Sequence, residues 1–142
     1  MRSLVALIVL IGMVAPAAAG ELWPTPDTGW RYALTVPVGP GRQRYGYVDA
    51  EPAPTGGWTV TVTCGVESTR DGRVLSRVVG RGTSNRGRAH GFGGNWSWKG
   101  GSGGGSFVVT QSLRSPGALD LPGEFTAPEC PRRGVGQLST GD

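Results

Sequence analysis

Apolar and polar residues alternate along much of the chain, a pattern that is typical of half-buried β-strands. The alternation is clearest in the segment GWTVTVTCGVES at 57–68. One face of this segment carries Trp58, Val60, Val62, Cys64 and Val66. The other face carries mainly threonine, and β-branched residues favour a pleated surface. No segment after residue 19 shows a helical period, so the pattern predicts an all-β protein.

Further short β-rich segments lie at 30–38, 42–48, 72–80, 92–98, 106–113 and 118–121. Turn residues separate them, and Pro37 predicts either an edge strand or a bulge near the end of the first segment. The pattern favours a small antiparallel sandwich or barrel of six to seven strands. We expect a single β domain over residues 20–131, followed by a disordered, flexible C-terminal tail at 132–142.

The segment Arg70-Asp71-Gly72-Arg73 predicts a hairpin turn, since Asp-Gly between two β-rich segments favours a tight turn. A plain two-residue turn would pair Val66 with Arg77 and would direct arginines to the side that carries Cys64. A bulge would change the parity and pair Val66 with Val78. We favour the bulge, because a buried unpaired arginine is costly.

The first nineteen residues have the features of a signal peptide. Arg2 precedes an apolar run from Leu4 to Val14, and Ala17-Ala18-Ala19 provide small residues for cleavage. The run is short for a span of the bilayer, which needs about 20 apolar residues. We therefore expect a periplasmic or extracellular protein that keeps no membrane span after cleavage. An uncleaved N-terminal anchor is the alternative, and the composition favours a bacterial source.

The two cysteines of the chain, Cys64 and Cys130, are expected to form a disulfide, because an exported chain enters an oxidising compartment. Free thiols or a metal site are the alternatives. The metal alternative is weak, since the chain has one histidine and no C-x-x-C motif. We predict neither a metal nor a cofactor.

Positive charge is concentrated between Arg70 and Lys99, where Asp71 is the one acidic residue. Aromatic residues lie in the same region, and a surface of this kind could stack on sugars or hold acidic groups in forked hydrogen bonds. The candidate binding residues are Arg73, Arg77, Arg81, Arg86, Arg88, Trp96, Trp98 and Lys99. In the alternative interpretation, both tryptophans pack in the core and the arginines form a solvated face that protects an edge strand.

Catalytic chemistry has little support in the sequence. Gly100-Gly101-Ser102-Gly103-Gly104 matches the nucleophile-elbow pattern, but that motif needs a following helix and a later histidine. The only histidine, His90, precedes the serine. Export also argues against a nucleic-acid partner for the arginine- and glycine-rich tract at residues 80–106.

The sequence therefore predicts an exported, non-catalytic domain that binds an anionic partner. That partner would be a protein of a larger envelope or extracellular assembly, or an acidic polysaccharide. The alternative function is inhibition of a secreted hydrolase by an inserted loop. The pattern leaves the oligomeric state open.

Overall fold

The computed structural model describes residues 28–85, 91–111 and 118–140. The described residues form eight β-strands: β1 Trp30–Gly39, β2 Arg42–Pro52, β3 Trp58–Ser68, β4 Val74–Asn85, β5 Gly91–Trp98, β6 Gly104–Thr110, β7 Asp120–Phe125 and β8 Arg133–Thr140. Each strand pairs antiparallel with the next, and β8 pairs with β1 to close a barrel. The all-β prediction is confirmed, and the strands follow one another around the barrel in chain order.

Alternating residues of the strands fill the interior of the barrel. Trp58, Val60 and Val62 of β3 are all buried, as the alternation in the sequence predicts. The other large interior side chains are Trp30, Tyr32, Leu34, Val48, Phe92, Trp96, Phe107, Val109, Leu121, Phe125 and Leu138. Aromatic rings pack edge to face or tilted across the barrel, with 5.9 Å between the ring centres of Trp30 and Trp58. The interior is thus a packed core.

Interior glycines make room for the largest of these rings. A Cβ atom at Gly136 would lie 2.5 Å from Cζ of Tyr32, and one at Gly123 would lie 2.2 Å from the Tyr32 hydroxyl oxygen. The hydroxyl donates to the carbonyl of Leu121 at 2.7 Å and accepts from the Gly136 amide at 3.1 Å. Burial raises the pKa of Tyr32 to about 12. Tyr32 therefore links β1 to β7 and β8 through the interior.

Two expectations about the C-terminal part of the chain are wrong. The barrel has eight strands among the described residues, not six to seven, and Arg133–Thr140 is a strand instead of a disordered tail. The interior positions of β8 are Gly134, Gly136 and Leu138, so a single large apolar residue marks its inner face. The sequence of β8 shows no alternation of apolar and polar residues, because its interior positions are glycines and side chains of β1 fill the space beside them.

The hairpin between β3 and β4 contains the expected bulge, with a shift of register between Val66 and Glu67. The specific pairing is different, because Val66 lies opposite Ser76 and Cys64 lies opposite Val78. The parity is nevertheless the one that the bulge was expected to produce. Arg77 lies opposite Gly65 and is exposed, so the arginines of β4 face outward.

The predicted disulfide is present. Cys64 on β3 is bonded to Cys130, with 5.0 Å between their Cα atoms. Cys130 belongs to the β7–β8 loop, residues 126–132, which the bond fastens across one end of the barrel. The predicted signal peptide lies outside the described residues. In the described part of the chain, no helix has the length and hydrophobicity of a membrane-spanning segment.

Candidate anion-binding site

The predicted site residues separate into an outer group and an inner group. Arg77 and Arg81 point outward from β4, since both alternate with interior positions, and Arg73 lies in the turn before the strand. Lys99 follows β5, and its amide donates to the carbonyl of Val79 at 2.9 Å. Arg86 and Arg88 lie outside the described residues. The structure therefore brings Arg77, Arg81 and Lys99 to the outer surface of β4 and β5, and Arg73 lies in the adjoining turn.

Arg77, Arg81 and Lys99 are arranged around Val79 on the outer surface. Arg81 lies opposite Ser97 of β5, and the Lys99 amide bonds to β4 two residues earlier. The Cα atoms of Arg77 and Arg81, four residues apart on one strand, are separated by about 13 Å. Such a spacing suits an extended anion that can contact several cations in turn.

Trp96 is a core residue and takes no part in this surface. It is 4% exposed and packs against Phe107 and Phe125. Glycines on both sides accommodate its ring, since a Cβ at Gly80 would lie 2.4 Å from its Cδ1 and one at Gly105 would lie 2.7 Å from its Cζ2. The expected exposed aromatic platform is therefore wrong for Trp96, because the small residues beside it leave space inside the barrel.

Trp98 is half-buried and packs against the same core. Its ring centre lies 5.5 Å from that of Trp96, in an edge-to-face contact. Seven of the described glycines in the arginine- and glycine-rich tract, including Gly80 and Gly105, leave no room for a Cβ without a close contact to a neighbouring strand or ring. The glycine content of the tract thus has a packing cause.

The outer cations have no carboxylate partner among the residues that the structure describes. Within this part of the chain the only ion pair closer than 4.0 Å joins Arg31 to Asp49 on the far side of β2. Asp71 lies near Arg73 in sequence, but its Oδ1 accepts a hydrogen bond from the Arg73 backbone amide at 3.0 Å. This hydrogen bond is the main reason why the pKa of Asp71 is lowered. The side-chain charges of Arg77, Arg81 and Lys99 are therefore available to a partner.

Charge is distributed unevenly between the two ends of the barrel. We call the end that carries the β1–β2, β3–β4, β5–β6 and β7–β8 loops the basic end. Eight of the ten described basic residues lie there, namely Arg42, Arg44, Arg70, Arg73, Arg77, Lys99, Arg132 and Arg133. The acidic residues at the same end are Glu67, Asp71, Glu124 and Glu129. An anion approaching the molecule would be attracted to this end.

Tyr45 supports the basic end from the outer surface of the barrel, and the sequence reasoning did not identify it. Its ring is buried although it lies on the outward face of β2, because it crosses Gly65 of β3. Its hydroxyl donates to the Ser76 carbonyl of β4 at 3.2 Å. Burial raises the pKa of Tyr45, and the charge of Arg77 opposes part of that rise. The Tyr-x-Tyr spacing of Tyr45 and Tyr47, whose rings stack, was the signal in the sequence.

Two hollows flank the β7–β8 loop at the basic end. The larger, of about 670 Å³, lies on the side of β1, where Val36, Arg44 and Phe125 line it. The smaller, of about 360 Å³, lies on the side of β4, where Arg44, Arg77 and Glu129 contribute to its lining. Arg44 stands between them and donates to the carbonyl of Pro128. The smaller hollow extends the basic surface around Arg77 towards the loop.

The nucleophile-elbow pattern is not matched by the local structure around Ser102. Ser102 lies in the short turn between β5 and β6, where a strand follows it in place of the helix that a nucleophile elbow requires. His90 lies outside the described residues. The described residues contain no cluster of three or more metal-ligating side chains.

Comparison with known proteins finds no matching family model, no similar curated protein and no similar solved structure. What the site binds therefore has to follow from its own charges and geometry.

Proposed function

We propose that this chain is an exported, non-catalytic β-barrel that binds an anionic partner at its basic end and along the adjoining outer surface of β4. The observation that carries the proposal is the group of unpaired cations on the outer surface of β4 and at the end of β5. Arg77, Arg81 and Lys99 are exposed and have no carboxylate within 4.0 Å among the described residues. The disulfide between Cys64 and Cys130 is consistent with an oxidising compartment outside the cytoplasm.

The proposed mechanism has an electrostatic step and a docking step. The excess of positive charge at the basic end raises the rate of encounter with an anion, most strongly at low ionic strength. The guanidinium groups of Arg77 and Arg81 then bind carboxylate or sulfate groups in forked hydrogen bonds. Both arginines are carried by a strand that is already ordered, so little backbone entropy is lost on binding.

The proposal is tested by titrating the protein with two polyanions, polyglutamate and a heparin oligosaccharide, at about 50 mM and about 200 mM salt. Replacing both Arg77 and Arg81 with alanine is expected to weaken binding about tenfold and to reduce its salt dependence. The matched control is the double replacement of Arg132 and Arg133, which removes the same charge from the other side of the basic end.

Equal losses in the two double variants would mean that net charge alone drives binding and that the assigned site is wrong. Unchanged affinity in the Arg77/Arg81 variant would also contradict the proposal. Inhibition of a secreted hydrolase remains the alternative function, and a salt-insensitive complex of one barrel with one hydrolase would favour it.

A further inference from the structure

The first part of β4 lacks a neighbour on one side. We call residues Val74–Val78 the open segment. All except Leu75, which lies at the bulge, pair with β3, but the pairing of β4 with β5 begins only at Gly80, opposite Trp98. The chain turns away from β4 at Lys99, whose amide donates a hydrogen bond to the Val79 carbonyl. Of the described strands, none continues the sheet beside the open segment.

The direction of the backbone groups shows what this side offers. In an antiparallel sheet, the N–H and C=O of one residue point to the same neighbouring strand, and those of the next residue point to the strand on the other side. Since the Val79 carbonyl points to the β5 side, and the β3–β4 register is regular from Ser84 to Ser76, the N–H and C=O of Arg77 point to the same side. Arg77 therefore presents a donor and an acceptor to a position where an added strand would lie.

The side chains of the open segment leave that position accessible. All five of its residues are exposed, including Val74 at 51%, Leu75 at 42% and Val78 at 36%. Apolar side chains beside an unpaired strand edge are the usual elements of peptide binding by strand addition, in which backbone hydrogen bonds give affinity and side chains give specificity.

A second unpaired edge lies at the end of β1, and a proline there hinders the addition of another strand. The open segment of β4 has no such proline. The pairing of β1 with β8 ends at Ala33, so Thr35–Gly39 also has one neighbour. Pro37 lies in the middle of this stretch and has no N–H to donate.

The charged residues around the open segment indicate which kind of partner would bind there. Arg73 precedes the open segment, Arg77 lies within it, and Lys99 lies beside its end. Pairing of two copies through this edge would bring these cations close to their equivalents, which opposes self-association. A polysaccharide has no regular row of amides to pair with the edge. An extended acidic peptide can pair its carboxylates with the cations, and its backbone amides can form hydrogen bonds with the backbone of the open segment.

We propose that the open segment binds an extended acidic segment of a partner protein as an added strand next to β4. This inference rests on the proposed function, because it names the class of partner and the mode of binding at the same basic surface.

The direct test uses a designed probe, the acetylated and amidated peptide (Thr-Glu)₄, and the same peptide with every backbone nitrogen methylated. Methylation keeps the charges and removes all backbone donors. We expect the parent peptide to bind at least about tenfold more tightly than the methylated one, and hydrogen exchange at the Arg77 amide to slow when the parent peptide is bound. The heparin oligosaccharide serves as an anion that has no peptide backbone.

Variants of the protein give an independent measurement. Arg77→Thr and Arg77→Pro both remove the charge, but only the proline removes the N–H. The proline variant is expected to lose about a further tenfold in affinity for the parent peptide relative to the threonine variant, whereas both variants bind the heparin oligosaccharide equally. Thermal unfolding of both variants checks that they are folded.

The outcomes separate the two proposals. Equal binding of the parent and methylated peptides, or binding of the heparin oligosaccharide alone, would overturn strand addition and leave the anionic function standing. Failure of all three anions to bind would overturn the proposed function as well. Dimers in sedimentation experiments with a protected Arg77 amide, in the absence of peptide, would show that a second copy occupies the edge and would also overturn the inference.

Discussion

The two parts of β4 have the same strand conformation and opposite surroundings. The open segment, Val74–Val78, has one neighbouring strand and all its residues are exposed. The paired segment, Gly80–Asn85, lies between β3 and β5, and its interior residues Gly80 and Ser84 are buried. Closure of a barrel removes strand edges only where neighbouring strands are equally long. A strand that extends past its neighbour has unpaired backbone groups along the extension. In β4 this extension lies beside the cations of the basic surface.

This contrast has a functional consequence. The paired segment contributes to stability through complete hydrogen bonding and through the contact of Gly80 with the Trp96 ring. The open segment contributes less, because backbone groups on one side have no strand partner. Binding surfaces are often drawn from such weakly supported regions, since a partner can complete what the fold leaves incomplete.

The largest expected effect concerns the disulfide, which joins the β7–β8 loop to the β3 residue directly opposite Val78. Replacing Cys64 and Cys130 with alanine should lower the free energy of unfolding by about 4 kcal/mol, because the bond closes a loop over a separation of 66 residues. Urea unfolding of the wild type and the variant measures the loss. The reduced wild type is the matched control, and a difference within error between oxidised and reduced protein would contradict the estimate.

A pair of proline substitutions compares the two segments directly. Arg77 and Arg81 are the same residue type, face the same way and direct their backbone groups to the same side of β4. Arg81→Pro should cost about 3 kcal/mol, because it removes a ladder hydrogen bond with β5 and leaves the Ser97 carbonyl unpaired. Arg77→Pro should cost less than about 1 kcal/mol, because no strand of the described chain pairs on that side.

Alanine at the same two positions controls for the lost charge. Substitutions of exposed residues usually change the free energy of unfolding by no more than about 0.5 kcal/mol. Thermal or urea unfolding of the four variants gives the comparison. Similar losses for the two prolines would show that the open segment is paired in solution, for example with another part of the chain.

The smallest expected effect is a dependence on alkaline pH. The pKa of Tyr32 is raised to about 12, above its ordinary value near 10, so the folded state favours the neutral phenol. The resulting stabilisation is complete below about pH 10 and is lost as the pH rises towards 12. Tyr32→Phe should therefore flatten the fall in unfolding free energy over this range, although it also removes the hydrogen bond to the Leu121 carbonyl at every pH.

Tyr45→Phe provides the comparison for the open segment, since the Tyr45 hydroxyl binds the Ser76 carbonyl. Its pKa is also raised, but Arg77 opposes the rise, so this variant should flatten the curve less than Tyr32→Phe. The measurement is urea unfolding at several pH values from 8 to about 12. An unchanged slope in Tyr32→Phe would show that the phenol is not protected by the core.

Much of the fold was predictable where large apolar residues alternate with polar ones. The inner face of β3, the bulged hairpin and the disulfide all followed from local patterns and from the expected oxidising compartment. The strand β8 was missed, because Gly134 and Gly136 occupy interior positions that carry no hydrophobic signal. Their role depends on Leu34 and Tyr32, which lie about a hundred residues earlier in the chain.

The candidate site shows the same division. Local sequence identified the cations Arg73, Arg77, Arg81 and Lys99, but the register of β4 against β5 made part of that strand an open edge. The tertiary contacts also took Trp96 out of the predicted surface and placed it between two glycines.

By itself, the sequence determined that the protein is built from β-strands, that its two cysteines pair and that its positive charge is concentrated in one region. These properties depend on alternation, residue type and composition, which are local. Only the tertiary structure decided how many strands close the barrel, which tryptophans enter it and where a strand edge remains unpaired. Those outcomes depend on how distant strands share interior volume and match in length, and no single segment carries that information.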